Sequence, residues 1–142
     1  MARKDAFHEV LKTALENEGW IITHDPLILP LGNRKLEVDL AAEAPLAAER
    51  DGERIAVEIK SFLGVSEITE LERAFGQYII YRFVLQRQDP DRTLFLALPV
   101  DAYESLFNEE DERDLAKGYD VKLIVFDPED GGIVEWITQW TV

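Results

Sequence analysis

The chain has no cysteine in its 142 residues. That excludes disulfides, a thiol nucleophile and any zinc site built on thiolates. No segment approaches the ~20 apolar residues of a membrane span. The opening MARKDAFHEVLK has no apolar run of signal-peptide length, so a soluble, cytoplasmic protein is expected. Basic residues are scarce: 15 Lys and Arg face 29 Asp and Glu, a net charge of −14. Such a charge repels phosphate backbones at long range. It argues against a stand-alone DNA-binding module, whose footprint is usually basic. A local basic patch, a metal-bridged phosphate contact or a partner with a positive surface stays open. A glycine-rich phosphate cradle and a nucleophile elbow are also missing, which leaves a plain metabolic α/β domain without support.

Against these absences stands an apolar content of 46%, that of an ordinary globular core. The length fits one domain over 1–142, long enough to bury that core unaided. No linker or low-complexity segment divides it. The echo of Ala41-Ala42-Glu43 in Ala47-Ala48-Glu49 is too short for a repeat architecture.

Helical spacing of Phe7, Val10, Leu11, Ala14 and Leu15 predicts an amphipathic helix over 4–18, ended by Gly19. WIITHDPLILPLGNRKLEVDLAAE reads as strand, proline-containing turn and second strand, with Leu36, Val38 and Leu40 pointing one way. After the excursion AEAPLAAERDGE, whose Asp51-Gly52 is a turn signal, Ile55, Val57 and Ile59 alternate with Ala56, Glu58 and Lys60 as in a strand. A long helix follows from Ser66, its N-cap, to Gln86. Its second half, YIIYRFVL, is apolar around most of its girth, so it is either heavily buried or part of an oligomer interface. TLFLALPV is a strand, DAYESLF opens a helix with Asp101 as its cap, and VKLIVFD and GIVEWITQW close the chain as strands. The order α-β-β-β-α-β-α-β-β predicts an α/β fold with a central mixed sheet flanked by helices.

Two acid-x-lysine triplets occur, Glu58-Ile59-Lys60 and Asp120-Val121-Lys122. The second opens a strand, where charges are easily solvated, and reads as surface decoration. The first ends a strand whose other face is apolar. Asp39, 19 residues earlier, also lies on an otherwise apolar strand. If the two strands are neighbours, Asp39, Glu58 and Lys60 converge. Two carboxylates at one spot repel unless a cation lies between them. Oxygen ligands with open positions suit Mg²⁺ or Mn²⁺, which keep waters and accept phosphate oxygens. A nearby lysine can orient a water and offset charge on a phosphate transition state. The bland alternative, a buried Glu–Lys ion pair with Asp39 at a strand end, is equally compatible with the spacing alone.

VDLAAE followed by VEIKSF and a long helix resembles the PD-(D/E)xK nuclease superfamily, the restriction-endonuclease-like fold. The resemblance places the family's acids on Asp39 and Glu58, as metal ligands, and its lysine on Lys60. Over FHEVLKTALENEGWIITHDPL, DLAAEAPLAAER, VEIKSFLG, FGQYIIYRFVL and KLIVFDPEDGGIVEWI the chain is similar to the XisH family, the fdxN-element excision controlling factors of cyanobacteria. This implies DNA processing during site-specific excision, beside a recombinase and an XisI-like partner. It describes a control role rather than catalysis by the chain itself. An inactive accessory protein with a nuclease fold is therefore the alternative to a metal-dependent endonuclease.

Many nucleases of that superfamily carry a further acid on the first helix, and His8, with Glu9 beside it, falls closest to that slot. Related nucleases often place a polar residue beside the metal on the helix after the motif, which singles out Gln77. Glu37 and Glu43 are candidates to join the acids. Arg73, Arg82 and Arg87 read as charge balance rather than a DNA-facing row. Trp136 and Trp140 read as core or subunit contact rather than base-stacking platforms.

Overall fold

The structure, a computed structural model, describes residues 6–44 and 52–140. Helix α1 (His8–Asn17) precedes four strands, β1 (Ile21–His24), β2 (Leu27–Leu31), β3 (Arg34–Val38) and β4 (Leu40–Glu43). Strand β5 (Arg54–Ile59), helix α2 (Glu67–Gln88) and strand β6 (Thr93–Pro99) follow. Helices α3 (Val100–Leu106) and α4 (Glu110–Gly118) then lead to β7 (Leu123–Asp127) and β8 (Gly132–Ile137). Six strands form one sheet in the order β1-β4-β5-β6-β7-β8, and β2 with β3 forms a separate ribbon. The β5–β6 and β6–β7 pairs are parallel; β1–β4, β4–β5 and β7–β8 are antiparallel. The mixed sheet flanked by helices is the architecture expected from the sequence.

The alternation in β5 sorts its side chains between two apolar layers, because successive residues face opposite sides of a sheet. Ile55, Val57 and Ile59 join Leu11 and Leu15 of α1. Ala56 joins Leu71, Phe75, Tyr78 and Val84 of α2 with Leu94, Leu96 and Leu98 of β6. Burial of each large side chain contributes roughly 1.5–3 kcal/mol before the entropy cost is set against it. Local signals hold the helices in place. Gly19 turns the chain out of α1 at φ +94°, a conformation glycine adopts without a Cβ clash. Ser66 caps α2 as expected, its Oγ accepting from the Thr69 N–H at 3.4 Å.

Four details depart from the sequence reading. Strand β2 runs along LILPL and pairs with β3, in a stretch read as a proline-containing turn. The segment LEVDLAAE is not one strand but breaks at Asp39, so Val38 packs in the α2 layer and Leu40 in the α1 layer. The shared face expected for Leu36, Val38 and Leu40 therefore ends at Val38. Helix α4 was not anticipated; Ala116 is its buried residue, which leaves almost no apolar stripe to detect. Asp101 lies in the first turn of α3, whose N-cap is Pro99. Of the two alternatives for α2, the interface is left standing: one side is buried, while Ile79, Ile80 and Phe83 are 38%, 48% and 55% exposed. The second Ala-Ala-Glu and Asp51 lie outside the described residues.

Candidate metal centre

Asp39 occupies the joint between β3 and β4, flanked by two fully buried anchors, Val38 and Leu40. Because Leu40 opposes Val57 in the antiparallel β4–β5 ladder, Asp39 is brought beside Glu58. The Asp39 N–H donates to Glu58 Oε1 at 3.2 Å, and the Ile59 N–H donates to Asp39 Oδ2 at 2.8 Å. One oxygen of each carboxylate is thus fixed by backbone. Lys60 Nζ lies 3.7 Å from Glu58 Oε2. Its own N–H donates to the Ala97 carbonyl at 2.9 Å, which holds Lys60 to the sheet beyond the end of β5. Two residues on, Phe62 takes the left-handed region at φ 56° and buries its ring in the α2 layer. A bulky residue there costs about 1–3 kcal/mol, a strain held against the lysine-bearing segment by the packing of that ring.

Glu58 is buried, 6% exposed. Burial first, then the Asp39 carboxylate by charge and by hydrogen bonding, push its carboxyl up to about 9, while Lys60 pulls it down. At neutral pH the pair therefore holds a proton in the absence of a cation. That is the state a hard divalent ion relieves. Among the described residues no three His, Asp or Glu side chains gather as a metal cage. A hydrated Mg²⁺ needs only one or two carboxylates, and the Asp39–Glu58 pair fits that donor set.

Tyr81 on α2 belongs to the same neighbourhood and was missed in the sequence, where it reads as one aromatic among the apolar residues of the helix. Burial and the carboxylates of Glu58, Asp39 and Glu37 push its phenol up to about 12. Gln77 stands one turn before it, on the same side of the helix. Its Oε1 is buried without a hydrogen-bond partner among the described residues, the kind of acceptor a ligand donor would satisfy. The spacing Gln77–Tyr81 was the available signal.

The remaining candidates have different surroundings. His8 is 3% exposed and its Nε2 lies 2.8 Å from Asp25 Oδ1, while Nδ1 has no partner among the described residues. Neither ring nitrogen thus hydrogen-bonds the carboxylate pair. Lys12 Nζ donates to Asp25 Oδ2 at 3.0 Å. Glu9 is exposed. Glu43 closes the far end of β4, 3.2 Å from Arg54 Nε and 3.6 Å from Arg92, and does not join the acids. Lys122 pairs with the exposed Asp120 at 2.9 Å, as surface decoration would. Arg73 is exposed. Arg82 donates to the carbonyls of Tyr119 and Asp120, and Arg87 lies over the Phe83 ring. Trp136 stacks on Trp20 and meets Phe95 edge-on; Trp140 packs against Phe107. Both tryptophans are packing residues.

No helix among the described residues is long and apolar enough to cross a membrane. A search of curated proteins returned no match. Two solved structures are similar to the chain at a TM-score of 0.84, each covering 94% of it and 99% of the other protein. One is an XisH family protein from Nostoc punctiforme PCC 73102, 42% identical. The other is an fdxN element excision controlling factor protein from Anabaena variabilis, 43% identical. Residues 1–134 match the family described as XisH protein, and with these likenesses over nearly its whole length the chain belongs to the XisH family.

Proposed function

We propose that the chain processes DNA during the excision of a DNA element, as a Mg²⁺- or Mn²⁺-dependent endonuclease of the restriction-endonuclease-like type. The observation that carries this reading is the pairing of Asp39 with Glu58 beside Lys60 at the joint of two strands. The excision role rests on family membership and on the description of the Anabaena variabilis relative. Asp39 and Glu58 would hold the cation. When bound, it supplies Lewis-acid polarisation of a phosphate oxygen and a more acidic water. Glu58 releases its proton on binding, restoring two carboxylates. The Lys60 ammonium faces the developing negative charge of the phosphate. The Tyr81 hydroxyl stays protonated throughout the neutral range and serves as a donor. Gln77 offers the unpartnered acceptor described above. By resemblance, an XisI-like protein and a recombinase complete the assembly, and delivery by such a partner would reconcile a charge of −14 with a DNA substrate.

That same charge favours a second reading, an accessory protein that keeps the fold and acts through its partner without cleaving DNA. One comparison separates them: Mg²⁺- and Mn²⁺-dependent cleavage of supercoiled and branched DNA by wild type, Asp39→Ala and Lys60→Ala, each with and without the XisI-like partner. Cleavage by the wild type, lost in both variants with folding intact, establishes the nuclease. No cleavage under any condition, with no Mn²⁺ bound by the wild type in calorimetry, establishes the accessory protein.

A further inference from the structure

The outward side of α2 carries a stripe about 100° wide formed by Glu72, Gly76, Ile79, Ile80, Phe83 and Arg87. Glu72, Gly76 and Arg87 are exposed, as are the three apolar residues between and beside them. Gly76 is the telling residue. A glycine inside a helix destabilises it relative to alanine. Among the described residues nothing asks for it, since a Cβ placed there meets no atom within 4 Å. The gap lies on the face where a second body would approach.

The order of the stripe identifies that body. A two-fold axis passing between Ile79 and Ile80 brings a second α2 antiparallel to the first. Ile79 then opposes Ile80 of the second copy, Gly76 opposes Phe83, and Glu72 opposes Arg87. Each pairing occurs twice, as an isologous contact requires. A small residue meets a large one, and an acid meets a base. The Arg87 guanidinium already lies over the Phe83 ring, 5.5 Å from its centre, at the edge of the apolar patch. The patch continues onto the ribbon through Leu31, 38% exposed, which lines a cleft of about 170 Å³ with Phe83 and Arg87. A shallow crossing of about 20° keeps both charge pairs within reach of their long side chains.

We infer that α2 is a self-association surface whose occupant is a second copy of this chain, packed antiparallel about Ile79 and Ile80. The pairing of Gly76 with Phe83 lets the two helices approach closely. The charges at its ends select the antiparallel arrangement. This surface is independent of the catalytic reading.

Sedimentation equilibrium of the full chain, from low to high micromolar concentration, tests it. The wild type is expected to form a dimer. Phe83→Glu raises the dissociation constant at least ~30-fold, the effect of losing a central anchor. Gly76→Gln weakens the dimer as well but leaves the melting temperature of the dilute monomer equal or higher, an effect a merely structural glycine would not give. Glu72→Arg and Arg87→Glu each weaken association by about fivefold, and the double exchange restores it. A wild type that stays monomeric at every concentration overturns the proposal. So does a dimer that survives both Phe83→Glu and Gly76→Gln with unchanged circular dichroism.

Discussion

The backbone N–H of Asp39 donates to the side chain of Glu58 across 3.2 Å, so two acids that repel by charge are tied together by the main chain. The consequence is a pH-dependent fold. The Glu58 carboxyl titrates near 4.5 when unperturbed and at about 9 when folded. Between those values the folded state holds a proton that the unfolded chain lacks. Its stabilising contribution is full below 4.5 and is lost as pH rises through 9, with a slope of at most about 1.4 kcal/mol per pH unit. Urea midpoints in chelator should fall across this window for the wild type. Glu58→Gln, which needs no proton, should flatten the fall. An unchanged slope in the variant would show that Glu58 is ionised in the metal-free protein.

Tyr81→Phe removes the hydroxyl whose titration the carboxylates of Glu58, Asp39 and Glu37 shift and leaves the packing of the ring. If the site binds metal, the substitution should lower Mn²⁺ affinity or cleavage by about tenfold, the usual effect of losing a supporting group around a metal. Melting temperature should stay near the wild-type value. Calorimetry with Mn²⁺ and the cleavage assay measure it, and an unaltered affinity with unaltered cleavage would remove Tyr81 from the site.

His8→Ala separates a structural histidine from a catalytic one. It strips Asp25 of one of its two partners, Lys12 remaining, and should cost about 1–3 kcal/mol of stability. Cleavage per folded molecule should not change. Full stability with lost cleavage would instead move His8 into the reaction.

Arg92→Leu tests the opposite end of β5. The Arg92 side chain is 3% exposed; Nη1 donates to the Ile55 carbonyl at 3.0 Å and Nε to Asp89 at 3.1 Å. Arg54 grips the same Asp89 with two bonds of 2.7 Å. Removing Arg92 leaves a buried carbonyl and part of a charge network unanswered, at a cost of about 3 kcal/mol by urea denaturation. A loss below a few tenths would mean that water replaces the guanidinium without penalty.

What could be read from the amino acids followed from how strictly each segment obeys one period. Strand β5 was legible because its two faces enter different layers, and a polar pair on one of them stood out. The approach of Asp39 to Glu58 followed from neighbouring strands. The break at Asp39 was not legible, since Leu36, Val38 and Leu40 keep perfect alternation while the backbone changes sheets between them. Helix α4 was hidden by its charge. Tyr81 was hidden by its company, because an aromatic among isoleucines and valines looks like core until a neighbouring carboxylate is seen. His8 was not decidable from the sequence for a related reason: position along the first helix does not say which loop its ring will meet, and here it meets Asp25.

The joint at Asp39 has one further consequence. Val38 is seated in one apolar layer and Leu40 in the other, so the carboxylate between them answers to both. The β2–β3 ribbon and the six-stranded sheet thus meet at an acid of the candidate centre, and the two packed neighbours of that acid belong to opposite faces of the fold.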